Sequence, residues 1–164
     1  MIMWNRGILT VTVLLASGVL ANSKVHAEGP TPRDKSISLL LLESASRFGA
    51  RAGRGSSLTQ EARAFVSLTK IEGGADQFAS LTESRNPAAR LYGLCGLFRL
   101  RDARFGPASR LVAASSDEVA TIDGCIASTI PVSKAMEGVA DGKASSIFLS
   151  ICRSFPPPKG HRRR

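Results

Sequence analysis

Two imidazoles and three thiols are the side chains of this sequence best suited to covalent or metal chemistry. His26 precedes the first stretch that looks able to fold, and His161 lies in a run of prolines and arginines at the other end. A serine or cysteine nucleophile needs a base held within hydrogen-bond reach. With no histidine expected in the packed region, triad-type hydrolysis has no base to run on. Cys95, Cys125 and Cys152 show no C-x-x-C spacing and have no neighbouring histidine, so they do not read as a zinc site. The carboxylates, from Asp34 to Asp141, fall mostly at helix starts and in turns, where solvated caps and surface charge are the ordinary explanation. No pair of them is marked out by a motif, as a glycosidase pair would be. Asp117 to Asp123 lacks the alternation of oxygen ligands that a calcium loop needs. The glycine- and arginine-rich stretch from Gly49 to Ser57 matches neither phosphate-binding pattern and reads as a connecting loop. No catalytic residue, metal ligand or cofactor is expected, and the chain reads as non-enzymatic.

The compartment decides what the thiols do. Residues 1–27 read as a cleavable signal peptide: Arg6 near the start, an uncharged apolar run from Ile8 to Ala21, and Val25-His26-Ala27 at the cut. The run is too short, and too diluted by Thr10, Thr12, Ser17 and Gly18, to read as a membrane anchor. We therefore expect a secreted or periplasmic protein with no transmembrane segment after cleavage. Its arginine- and alanine-rich composition suits a bacterium. Outside the cytoplasm a close thiol pair oxidises. Three pairings are open, and Cys95–Cys125 is favoured because each lies in a patterned segment while Cys152 sits near a frayed end. Three buried, reduced thiols are the alternative.

The formal charge of +9 falls to +7 once Arg6 and Lys24 leave, with 20 basic against 13 acidic residues. Lys159, Arg162, Arg163 and Arg164 carry four of those charges, so the basic character is concentrated in the tail. Arg85, Arg90, Arg99, Arg101, Arg104 and Arg110 make the middle of the chain basic as well. A shared arginine face would attract an anionic polymer, lipid or acidic protein; a solvated surface is the plainer alternative. Arg99, Arg101 and Arg104, with the four tail cations, are the candidate contacts. Aromatic platforms among the charges are missing, so specific nucleic-acid binding is not expected.

The elements that would hold these residues are mainly helical. Residues 28–35 read as a leader. Ser36 caps a helix reaching Phe48, with Ile37, Leu40, Leu41 and Ala45 inward. Thr59 opens a second helix through Ala62, Phe65 and Val66, and Gly73-Gly74 interrupts it before Phe78 and Leu81. Asn86-Pro87 starts the clearest helix, whose Leu91, Leu94, Cys95 and Phe98 recur at i, i+3, i+4 and i+7. Gly93 and Gly96 each cost this helix about 1 kcal/mol relative to alanine, which implies a second backbone packed close. Phe105 to Ala114 continues as a helix with Phe105, Ala108, Leu111 and Val112 inward. Residues 118–130 fit a helix through Val119, Ile122 and Ile126, or a β-hairpin around Asp123-Gly124; the hairpin is favoured. Pro131 then starts a short helix, and Ser145 to Cys152 is a last apolar segment.

Phe78, Leu81, then Asn86-Pro87-Ala88-Ala89-Arg90, then Leu91, Leu94, Gly96 and Leu97, together resemble a HEAT-like helical hairpin repeat over roughly residues 72–114. The resemblance implies a short stack of antiparallel helical hairpins, with Arg90 between neighbouring repeats; Leu111, Ser115-Ser116-Asp117 and Val119 offer a start for another copy, but the turn proline and the arginine are missing there. It also implies a binding or scaffolding module that presents a hairpin face to an unknown protein. The alternative is a cationic envelope protein that holds anionic polymer or lipid through its tail. The expected organisation is a signal peptide (1–27), a leader (28–35), a single helical domain (36–153) and a disordered basic tail (154–164).

Overall fold

A computed structural model describes residues 32–54, 57–139 and 146–157. The expected signal peptide, residues 28–31 of the expected leader, His161, Asp141 and the four tail cations lie outside the described residues. The order is α1 (Pro32–Glu43), β1 (Arg51–Ala52), β2 (Ser57–Leu58), α2 (Gln60–Leu68), α3 (Gly74–Thr82), α4 (Pro87–Leu100), α5 (Phe105–Ala113), β3 (Glu118–Asp123), β4 (Ile126–Pro131), α6 (Val132–Ala135) and α7 (Ile147–Ser154). The fold is mainly helical with two small antiparallel hairpins.

α4 is the axle. Its cap forms as the sequence dictates, with Asn86 Oδ1 accepting from the Ala88 N–H at 2.9 Å and Pro87 entering the first turn. From Ala88 to Leu97 nine of its residues are buried, so the helix is covered on all sides. α3 packs against it antiparallel, and the two glycines explain how closely. A Cβ on Gly93 would stand 2.6 Å from the Phe78 carbonyl oxygen and 2.8 Å from the Thr82 nitrogen, and one on Gly96 would fall inside the Phe78 ring. The backbone approach expected from the two glycines is present.

All seven phenylalanines and Tyr92 form one connected ring network through the core. Phe65 stacks on Phe155 at 4.4 Å and on Phe78 at 5.1 Å. Tyr92 meets Phe48 edge-on at 5.1 Å, and Phe148 continues from Phe48 to Phe105. Offset and edge-on rings add to the apolar burial of each. Phe48 belongs to no helix: its N–H donates to Ala120 O and its carbonyl accepts from Ile122 N, so it forms a one-residue parallel bridge on β3.

The hairpin at 118–131 is present, in the register Asp123↔Ile126 to Glu118↔Pro131. Its loop is Gly124-Cys125, one residue later than Asp123-Gly124. Gly124 takes a φ of +60°, which glycine tolerates and other residues rarely do.

Several boundaries and faces differ from the sequence reading. α1 starts at Pro32, inside the expected leader, and ends at Glu43 rather than Phe48. Its Ile37 and Leu40 are exposed, while Ser38 and Leu42 are buried. Leu111, expected inward on α5, is 77 % exposed. The Gly49–Ser57 segment, read as a loop, carries the short β1–β2 pairing. The chain turns to a strand at Glu118, so Val119, offered as part of the start of another copy, lies in β3. Residues 155–157, expected in the disordered tail, are among the described residues. Phe155 is buried between Phe65 and Tyr92, and Pro156 is held by a hydrogen bond.

Candidate functional site: a basic groove at the end of α4

The last turn of α4 meets the end of α7 in a groove of about 430 Å³ lined by Phe98, Arg99, Arg101, Cys152, Arg153, Phe155 and Pro157. Three guanidiniums line it and no carboxylate does. Helix geometry accounts for the first two. Arg99 lies in the last turn of α4, and Arg101 is the residue that stops it in the left-handed conformation, at φ 56°. Asp102 N donates back to Leu97 O at 2.9 Å and closes the turn.

The three candidate arginines do not share a face with equal freedom. Arg99 Nη1 donates to the carbonyls of Cys152 (3.0 Å) and Phe155 (2.8 Å), and its Nη2 donates to Pro156 (2.6 Å). It satisfies the carbonyls left open at the end of α7 and places a cation at the negative end of that helix. Burial depresses its pKa, but an arginine stays charged. Its charge still faces the groove while its donors are largely used.

Arg104 is tied elsewhere. It donates from Nε (2.8 Å) and Nη2 (2.7 Å) to Asp102, and from Nη1 (2.9 Å) to Asp76 at the start of α3. The guanidinium holds the Asp102 carboxyl down at about 2, well under its ordinary value, and the pair in turn raises Arg104. Arg101 is exposed and has no side-chain partner among the described residues. Arg153, in the last turn of α7, joins it in the same state; sequence reasoning had passed it over. Its only signal was a basic residue ending the final apolar segment.

Arg90 reaches from α4 to the loop before β3, where it pairs with Asp117 and donates to Ser115 Oγ at 3.3 Å. Hydrogen bonds from Ser115 and Arg90 lower the Asp117 pKa. Arg90 therefore joins the helical region to the hairpin. Arg85 and Arg110 are exposed outside the groove.

The cysteine pairing corrects the expectation. Cys95 and Cys152 stand at disulfide distance, with Cα atoms 5.6 Å apart, and Cys125 is the exposed, unpaired one. The separation suits a bridge. The physical reason is that Cys125 sits in the two-residue loop of the β3–β4 hairpin, pointing to solvent, while Cys95 and Cys152 occupy the facing buried sides of α4 and α7. The pair anchors one wall of the groove.

Among the described residues no three His, Cys, Asp or Glu side chains gather as a metal-ligand set, and no helix is long and apolar enough to cross a membrane. Comparison with protein-family models, with curated proteins and with solved structures finds no match.

Proposed function

We propose that this chain is an exported, non-enzymatic binding module that docks an anionic partner at the basic end formed by α4 and α7. One observation carries the reading. Arg99, Arg101 and Arg153 line one groove with no carboxylate among them, and Arg101 and Arg153 have no partner within the described residues. Such a concentration of one sign raises the local density of opposite charge and speeds association with it. In sequence, Pro157 of the groove is followed closely by Lys159, Arg162, Arg163 and Arg164, four more cations on the same chain segment. A helical scaffold that positions this cluster, with Cys95–Cys152 oxidised in a secreted or periplasmic setting, fits both the export signal and the charge pattern.

Heparin affinity chromatography tests it. The full chain should be retained at low salt and eluted as salt screens the contact. The double variant Arg101→Glu with Arg153→Glu should elute at clearly lower salt, and so should a chain truncated after Pro157, which keeps Phe155 and Pro156 in place. Identical elution of all three would remove the basis for the reading.

A further inference from the structure

The same groove carries a sharper statement about its ligand, which rests on the reading above. Arg99 has most of its donors committed to the α7 carbonyls. Arg101 and Arg153 therefore remain as the two guanidiniums able to donate. Each offers a planar fork that matches a phosphate or carboxylate edge. Two forks lining one cleft suit a group with several anionic oxygens in tetrahedral array, which a single carboxylate does not present. The rest of the lining is apolar: Phe98, half-buried and packed on Phe105 at 5.4 Å, and the exposed Pro157. A purely charged polymer leaves that wall in contact with water. The volume of about 430 Å³ lies in the range of small-ligand clefts. It has room for a headgroup and not for a folded domain.

We infer that the groove is a subsite for a phosphate monoester bearing an apolar substituent, the chemistry of phosphatidic acid. The phosphate oxygens accept from Arg101 and Arg153. Arg99 adds charge from below, and the substituent lies along Phe98 and Pro157.

Calorimetric titration of the full chain with three monomeric probes tests this: inorganic phosphate, glycerol 3-phosphate and dihexanoyl phosphatidic acid below its micelle concentration. The short-chain lipid should bind about tenfold more tightly than glycerol 3-phosphate, because only the lipid covers the apolar wall. Arg101→Gln and Arg153→Gln should each weaken the lipid about tenfold by removing a charge-assisted fork. Arg110→Gln, which lines a different cleft, should leave lipid affinity unchanged. Equal affinity for glycerol 3-phosphate and the lipid would make the source a free phosphoester and overturn the role of the apolar wall. Loss of lipid binding in Arg110→Gln to the same extent would overturn the subsite by showing a diffuse field. Retention on heparin with no response to any phosphate probe overturns the subsite and leaves the anionic-partner reading standing. Absence of both removes the two together.

Discussion

Tyr92 is the chain's single phenol, and its hydroxyl makes both its bonds to one residue. It donates to Gly49 O at 2.9 Å and accepts from Gly49 N at 3.3 Å, fully inside the core. Burial pushes its pKa far above the ordinary value for tyrosine, so the phenol stays protonated and keeps donating. Gly49 cannot be larger, because a Cβ there would collide with the backbone of Ile122. Tyr92→Phe strands the buried Gly49 N–H and leaves the Gly49 carbonyl only the 3.4 Å bond from Thr59 Oγ1, and urea denaturation should register a loss of about 1–3 kcal/mol. Tyr92 lies on a buried position of α4, but its partner is 43 residues away and nothing local announces the pairing. The arginines show the same limit. Their side chains are long enough to reach partners on other elements, so sequence spacing says little about which remain free. Arg99 and Arg101 are two residues apart and have opposite fates.

Helices were legible where apolar and polar positions contrast. α4 and its cap follow from Asn86-Pro87 and the leucine spacing, and α2 begins as expected with Thr59 Oγ1 accepting from Ala62 N at 3.0 Å. α1 was legible as a helix but not in its orientation. Ile37 and Leu39 to Leu42 are apolar almost without interruption, so periodicity cannot choose the inner face, and Ile37 and Leu40 end up in solvent. The glycines of α4 were the most informative residues at this scale. Gly93→Ala gains about 1 kcal/mol of helix propensity but drives a methyl into α3, where overpacking costs roughly 1–3 kcal/mol. Thermal denaturation should show a net loss. Gly106, in α5, has open space where its Cβ would be, so Gly106→Ala should stabilise by roughly 0.5 kcal/mol. Matching signs for the two variants would contradict the close α3–α4 approach.

At the scale of the whole molecule, three independent ties hold the C-terminal segment to α4: the Cys95–Cys152 pair, the Arg99 clamp and the Phe155 ring against Tyr92. The cysteine pair spans 57 residues, and closing a loop of that length contributes up to about 4 kcal/mol by chain entropy. Cys95→Ala with Cys152→Ala should therefore lower unfolding free energy by roughly 2–4 kcal/mol. Cys125→Ser, at an exposed turn, should change it by less than about 0.5 kcal/mol. Non-reducing peptide mapping should recover 95 linked to 152, and linkage through Cys125 would refute the pairing. The pairing was not legible because α7 announces itself only as a short apolar run, and its docking face depends on elements distant in sequence. The same lodging of Phe155 constrains biosynthesis. Chains grow from the N-terminus, and the aromatic network between Phe65 and Tyr92 stays unfilled until Phe155, the latest of its rings in sequence, is made. A nascent polypeptide that has not yet emerged to Phe155 therefore offers open apolar surface rather than a closed domain.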